Sequence, residues 1–135
     1  MASRSDALVS DPPTLLIVED DPALLLLVAG MLGAEGYRVR EAADGVEAVE
    51  ALEQYRATPH ALGCMLLDLM LPGVDGLDVL RRFKALGFTA PVLAMSSNRA
   101  LLDAAHSEGA QAALVKPFDL DQLLAAVQGC CPPPG

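Results

Sequence analysis

The sequence predicts an α/β fold: five short strands alternating with five helices, forming one open, doubly wound parallel sheet in three layers. Three observations carry this. Short apolar runs recur between amphipathic stretches along residues 14–128. The runs are nearly continuous in apolar residues, as strands buried on both faces must be; a sheet with one wet face alternates instead. Helix-opening signals follow the runs in turn, and repeated strand–helix–strand units close through right-handed crossovers that place helices on both faces.

The first strand is Thr14–Val18 (TLLIV), which stops abruptly at Glu19, Asp20 and Asp21. Asp21 followed by Pro22 is an N-cap with proline at the first helical position. That helix runs from about Pro22 to Leu32 and ends at Gly33 and Gly36, with Leu24–Val28 as a core stripe. Tyr37–Glu41 (YRVRE) alternates like a half-buried strand near a sheet edge. Asp44 and Glu47 form a capping-box pattern that opens the second helix, with Val46, Val49 and Leu52 on one face. Cys64–Leu67 is the third strand and ends in Asp68; Leu71-Pro72-Gly73 and Asp75-Gly76 then break the chain. Leu77–Leu86 is the third helix and buries Leu77, Leu80 and Phe83. Pro91–Met95 is the fourth strand, ending in Ser96 and Ser97, and Arg99–Glu108 the fourth helix, stopped by Gly109. Ala112–Val115 is the fifth strand and ends in Lys116 and Pro117. A second capping-box pattern, Asp119 with Gln122, opens a last helix through about Val127.

Composition bounds the function. With 135 residues, 53% hydrophobic and 20% charged, the chain suits one domain with a real core and is too apolar for disorder. No apolar run approaches the roughly 18–20 residues of a membrane span, and the polar N-terminus lacks the apolar core of a secretory signal. The net charge of −9 argues against a nucleic-acid module, which needs a basic face, and favours cations or basic partners. Aromatic residues at 4% and no tryptophan leave little for base stacking. The three cysteines lack metal-type spacing: Cys64 reads as core, Cys130 and Cys131 as tail, and the set as that of a reducing, cytoplasmic protein. Residues 1–13 read as a flexible leader, 14–128 as the folded domain and 129–135 as a tail or linker stub.

Polar residues gather where the strands end: Glu19 and Asp20 after the first, Asp68 after the third, Ser96 after the fourth, Lys116 after the fifth. A parallel sheet brings these ends to one rim, where such sheets bind ligands. A single polar residue after a buried strand is most simply the chain leaving for water. Five of these types together need more. Crowded carboxylates repel, and a hard divalent cation such as Mg²⁺ resolves the conflict. An ammonium and a hydroxyl beside a metal suit phosphoryl oxygens, and a carboxylate there can accept the phosphoryl group.

The runs LLIVEDDPALL, LLDLMLPGVDG, PVLAMSS and ALVKPF together resemble the receiver (response-regulator) domain of two-component signalling. The resemblance implies a flavodoxin-like sheet of order 2-1-3-4-5. It implies that Asp68 is the phosphoacceptor and modification site, and that Mg²⁺ is held by Asp20, Asp68 and the Met70 carbonyl with Glu19 assisting. It also implies that Ser96 is the switch hydroxyl, that Lys116 pairs with Asp68 and then with the phosphoryl group, and that Lys116-Pro117 is a cis junction. The implied partners are a sensor histidine kinase or histidine phosphotransfer protein and a downstream protein. No direct nucleic-acid or membrane contact is implied, nor any output domain in this chain, and the domain would be a monomer or weak homodimer. It would be no enzyme beyond catalysing its own phosphorylation and dephosphorylation.

The chain departs from the family where Ala113 replaces the usual aromatic residue. Output then relies on Ser96 and backbone movement alone, or the domain is a phosphoryl relay or sink. Met70 and Asn98 flank the path of hydrolytic water; Met70 cannot orient that water through its side chain, whereas Asn98 can. A competing reading is a phosphoaspartate-type Mg²⁺ phosphatase, but such enzymes carry a second aspartate where Met70 stands. Another is an adaptor that is never phosphorylated, against which the full acidic and basic set argues. His60 and His106 read as surface residues, Met65 and Met95 as core fillers, and Gly73 and Gly76 as turn residues.

Overall fold

The structure, a computed structural model, describes residues 13–134. Apart from Pro13, the leader expected over 1–13 lies outside the described residues. In chain order the elements are β1 (Thr14–Val18), α1 (Pro22–Ala34), β2 (Arg38–Ala42), α2 (Gly45–Tyr55), a 3-10 turn (Pro59–Ala61), β3 (Leu62–Asp68), α3 (Gly76–Ala85), β4 (Val92–Ser96), α4 (Arg99–Ser107), β5 (Ala112–Val115) and α5 (Leu120–Cys130). The five strands form one sheet of order β2-β1-β3-β4-β5, every pair parallel. This is the doubly wound, flavodoxin-like arrangement expected.

The two-residue period of a strand sorts its side chains between two cores. Leu16, Val18, Met65, Leu67, Val92 and Ala94 face α2, α3 and α4. Leu15, Ile17, Cys64, Leu66, Leu93 and Met95 face α1 and α5. All seven residues of β3, the central strand, are buried. Each fully buried leucine contributes about 1.5–3 kcal/mol, so this strand anchors both cores. On the surface, Arg81 of α3 grips Glu108, just past α4, through two nitrogens at 2.7 and 2.9 Å.

Several elements differ from the sequence reading. α1 passes through Gly33, because one helical glycine costs only about 1 kcal/mol; the helix ends near Gly36, whose φ of +98° is left-handed. Leu24–Val28 is not all core: Leu25 and Val28 are buried, but Leu26 and Leu27 are 72% and 51% exposed. In α2 the buried face is Ala48, Ala51 and Leu52, with Val46 exposed, since small alanines let the helix lie close to the sheet. α3 buries Val79, Leu80 and Phe83, and Leu77 only partly. Asp44 accepts from the Glu47 N–H as a cap should, but Glu47 reaches back to Ala43 rather than closing a box on Asp44; Asp119 and Gln122 do form one.

The C-terminal segment differs most. α5 continues through Gly129 to Cys130, and Cys131 is buried and bonded to Cys64 in a disulfide. Residues 129–131 are therefore part of the folded domain, and the cysteines do not by themselves mark a reducing compartment. Pro132 lies near Gly63, and Pro134 near Gly36. Glycine, cysteine and proline together read as a breaker-rich tail, yet Cys131 is held by a contact 67 residues away that local pattern does not report.

Candidate functional site

The site is built at the carboxyl ends of β1, β3, β4 and β5. β1 and β3 are adjacent, and the ladder carries Glu19 past Val18, its N–H donating to the Ala42 carbonyl at 3.0 Å. Asp68 is the last residue of β3, and the Leu69 N–H still pairs with the Met95 carbonyl at 2.9 Å. The turn after Asp68 returns tightly: Gly73 has φ +75°, and a Cβ at Gly76 would run into the backbone of Asp68 and Leu69. Lys116 follows β5 and donates its N–H to the Ser96 carbonyl at 3.0 Å, and the Lys116–Pro117 bond is cis.

The side chains converge. One carboxylate oxygen from each of Glu19, Asp20 and Asp68 lies within 4.8 Å of the others, with Glu19 and Asp68 buried and Asp20 exposed. The Lys116 ammonium donates to Glu19 Oε1 at 2.6 Å and to Asp68 Oδ2 at 3.3 Å. The second Asp68 oxygen accepts from the Met70 N–H at 3.0 Å, and the second Glu19 oxygen from the Asp21 N–H at 3.1 Å. Burial pushes the Glu19 carboxyl up to about 7, aided by the charge of Asp68 and opposed by Lys116 and the Asp21 N–H. Burial works against the Lys116 charge too, but the hydrogen bond it donates to Glu19 and the charges of both acids outweigh it and hold the amine above its ordinary value. Two buried carboxyls thus share one ammonium, and a third stands beside them in water. An all-oxygen donor set of this kind fits a hard divalent cation.

Lys116 was expected to pair with Asp68; its shorter bond is to Glu19, because the end of β1 lies within reach of the long side chain. Ser96 is fully buried, and its Oγ accepts the Asn98 N–H at 3.0 Å. Asn98 is not turned toward a water path: its side chain caps α4, accepting from the Ala100 and Leu101 N–H groups at 2.9 and 3.2 Å. An asparagine one residue before a helix is an N-cap signal, so this role was readable and was missed. Asp21 likewise caps α1. Met70 is 53% exposed, with its sulfur 3.8 Å from Ser97 Oγ. Two open clefts reach the site. One of about 460 Å³ includes Asp20, Met70 and Leu101, and one of about 380 Å³ includes Leu24, Lys116 and Phe118.

The family model for the response regulator receiver domain matches residues 15–128. The chain belongs to that family. Receiver domains of two-component response regulators share its sequence at substantial identity. The transcriptional regulatory protein TrcR of Mycobacterium tuberculosis is 37% identical over 120 residues, covering 87% of this chain and 45% of TrcR. The response regulator MprA of Mycobacterium leprae is 37% identical over 116 residues, covering 84% of this chain and 49% of MprA. This receiver domain therefore spans about half the length of the curated relatives it matches. Among solved structures, the receiver domain of NtrX from Brucella abortus has a TM-score of 0.76 at 31% identity, over 86% of this chain and 96% of that one. The receiver domain of the sensor histidine kinase PA1611 from Pseudomonas aeruginosa, with a magnesium ion coordinated in its active site cleft, has a TM-score of 0.74 at 30% identity, over 88% and 97%.

Proposed function

We propose that this receiver domain accepts a phosphoryl group on Asp68 from the phosphohistidine of a sensor histidine kinase or a histidine phosphotransfer protein. The observation that carries this is the meeting of Glu19, Asp20, Asp68 and the Lys116 ammonium at one rim. An Asp68 oxygen attacks phosphorus in line; the O–P bond forms as the N–P bond breaks, and the imidazole leaves with the bonding pair. Lys116 moves from carboxylate to phosphoryl oxygen as charge builds there. Ser96, whose oxygen already accepts from the Asn98 N–H, keeps its proton and donates it in a hydrogen bond to another phosphoryl oxygen. Glu19, Asp20, Asp68 and the Met70 carbonyl would hold Mg²⁺, which when bound supplies positive charge against the equatorial oxygens; the magnesium in the PA1611 receiver supports this assignment.

The phosphoryl group, with a charge of about −1.5 to −2 in place of the carboxylate's single charge and with new acceptor oxygens, then biases the surface of β4, α4, β5 and α5 toward a downstream protein. The domain turns over no outside substrate. No described helix is long and apolar enough to cross a membrane, and a kinase donor places the reaction in the cytoplasm. The test is incubation with acetyl phosphate and Mg²⁺ followed by intact mass measurement. The wild type gains one phosphoryl group, and Asp68→Asn or removal of Mg²⁺ abolishes the gain. Steady hydrolysis of unrelated phosphate esters would replace this reading with a phosphatase, and no response to acetyl phosphate, beryllofluoride or a phosphorylated kinase with an adaptor.

A further inference from the structure

We infer that Cys64, Cys131 and Cys130 form a reversible thiol–disulfide latch, with Cys130 the relay between the buried Cys64–Cys131 bond and solvent. The inference is independent of the phosphotransfer reading. Cys64 lies in β3 with no exposure, and Cys131 follows α5 with 7% exposure, their Cα atoms 5.6 Å apart. An external thiol therefore cannot attack at Cys64 and has little access at Cys131. Cys130 is the free thiol of the group and is only partly buried, and its Sγ stands 3.6 Å from Cys131 Sγ. The three sulfurs lie within 4.8 Å of one another.

At 3.6 Å from Cys131 Sγ and within 4.8 Å of Cys64 Sγ, Cys130 Sγ stands beside the Cys64–Cys131 bond, and the exchange path opens when the Cys130 side chain swings into line behind Cys131. The Cys130 thiolate attacks Cys131 Sγ, a Cys130–Cys131 bond forms, and the Cys64–Cys131 bond breaks. Cys64 leaves as a thiolate and takes up the proton Cys130 gave away, so the step involves no net oxidation. The relocated disulfide sits at the end of α5, where an external dithiol reduces it to two thiols and is itself oxidised to its disulfide. A low-molecular-weight disulfide runs the cycle backward, accepting two electrons as two thiols. Burial pushes the Cys130 thiol above its ordinary value, which keeps the exchange slow at neutral pH and the closed form long-lived.

The latch acts on α5. Lys116, just before this helix, is ion-paired to Asp68 at one end of β3, and Cys131, just after it, is bonded to Cys64 near the other end. Closed, the latch ties both ends of α5 to the central strand; open, it leaves the second end held by packing alone.

The test uses the full chain treated with glutathione disulfide, then denatured, alkylated and mapped by mass spectrometry. One free thiol, at Cys130, is expected before dithiothreitol and three after it. Cys130→Ser keeps the bond and is reduced about tenfold more slowly than the wild type. Amide hydrogen exchange over residues 120–130 is faster in the reduced wild type than in the oxidised one, a comparison that needs no substitution. Three free thiols after glutathione disulfide, reduction of Cys130→Ser at the wild-type rate, or identical exchange in the two redox forms would each overturn the inference.

Discussion

Glu19 is the residue whose protonation matters most to the metal-free domain. Its carboxyl is raised from 4.5 to about 7 by burial, so the folded state holds a proton that the unfolded chain has released. Stability from this group is greatest below pH 4.5 and falls as pH rises to about 7, by about 3 kcal/mol. Thermal unfolding across this window in chelator is expected to show the decline, and Glu19→Gln to flatten it. Mg²⁺ affinity should fall as pH drops below 7, because the cation competes with that proton; calorimetric titration checks this. A second expectation concerns the phosphorylated form. Met70 offers no side-chain group to orient water, and Asn98 is committed to its helix. The phosphoryl group should therefore outlast that of fast chemotaxis-type receivers, and a half-life of seconds after donor removal would contradict it. Glu19 as the nearer partner of Lys116 was not legible in the sequence: strand ends reveal which residues share a rim, but not how far a lysine reaches along it.

At the scale of elements, α1 makes the sharpest contrast. Its sequence is apolar on all sides, so periodicity could not phase it, and only the structure separates buried Leu32 from exposed Leu26. Leu32→Ala should cost about 2–5 kcal/mol, whereas Leu26→Ser should stay within about 0.5 kcal/mol; urea unfolding of both variants measures the difference. In α4, Asn98→Ala removes two capping hydrogen bonds and should cost about 1 kcal/mol, with faster amide exchange confined to the first turn of that helix. The strands and most helix starts were legible because each is announced locally, by an apolar run or a cap. The end of α5 was not, since its anchor, Cys64, is distant in sequence.

For the whole molecule, the decisive balance lies between a rigid apolar sheet and the negative charge gathered at one rim. Three acids and one ammonium leave that rim short of positive charge above pH 7. Adding Mg²⁺ at a hundred times its dissociation constant should stabilise the domain by about 2.7 kcal/mol, and Asp68→Asn should lose most of that gain in the same melting experiment. The fold and the gathering of Glu19, Asp20, Asp68 and Lys116, with Ser96 at the end of β4 beside them in the sheet, were readable because a parallel sheet forces strand ends together. The orientation of Ser96 toward Asn98 was not, because the rotation of a hydroxyl leaves no trace in residue spacing.

The covalent tie between Cys64 and Cys131 also decides how the domain bears a mechanical load. Tension applied through the chain beyond residue 131 passes straight into the central strand instead of peeling α5 away. While the tie is closed, the 67-residue span between the cysteines cannot extend, hiding about 240 Å of contour length. Pulled from its two termini, the oxidised domain would lengthen by that much less than the reduced one.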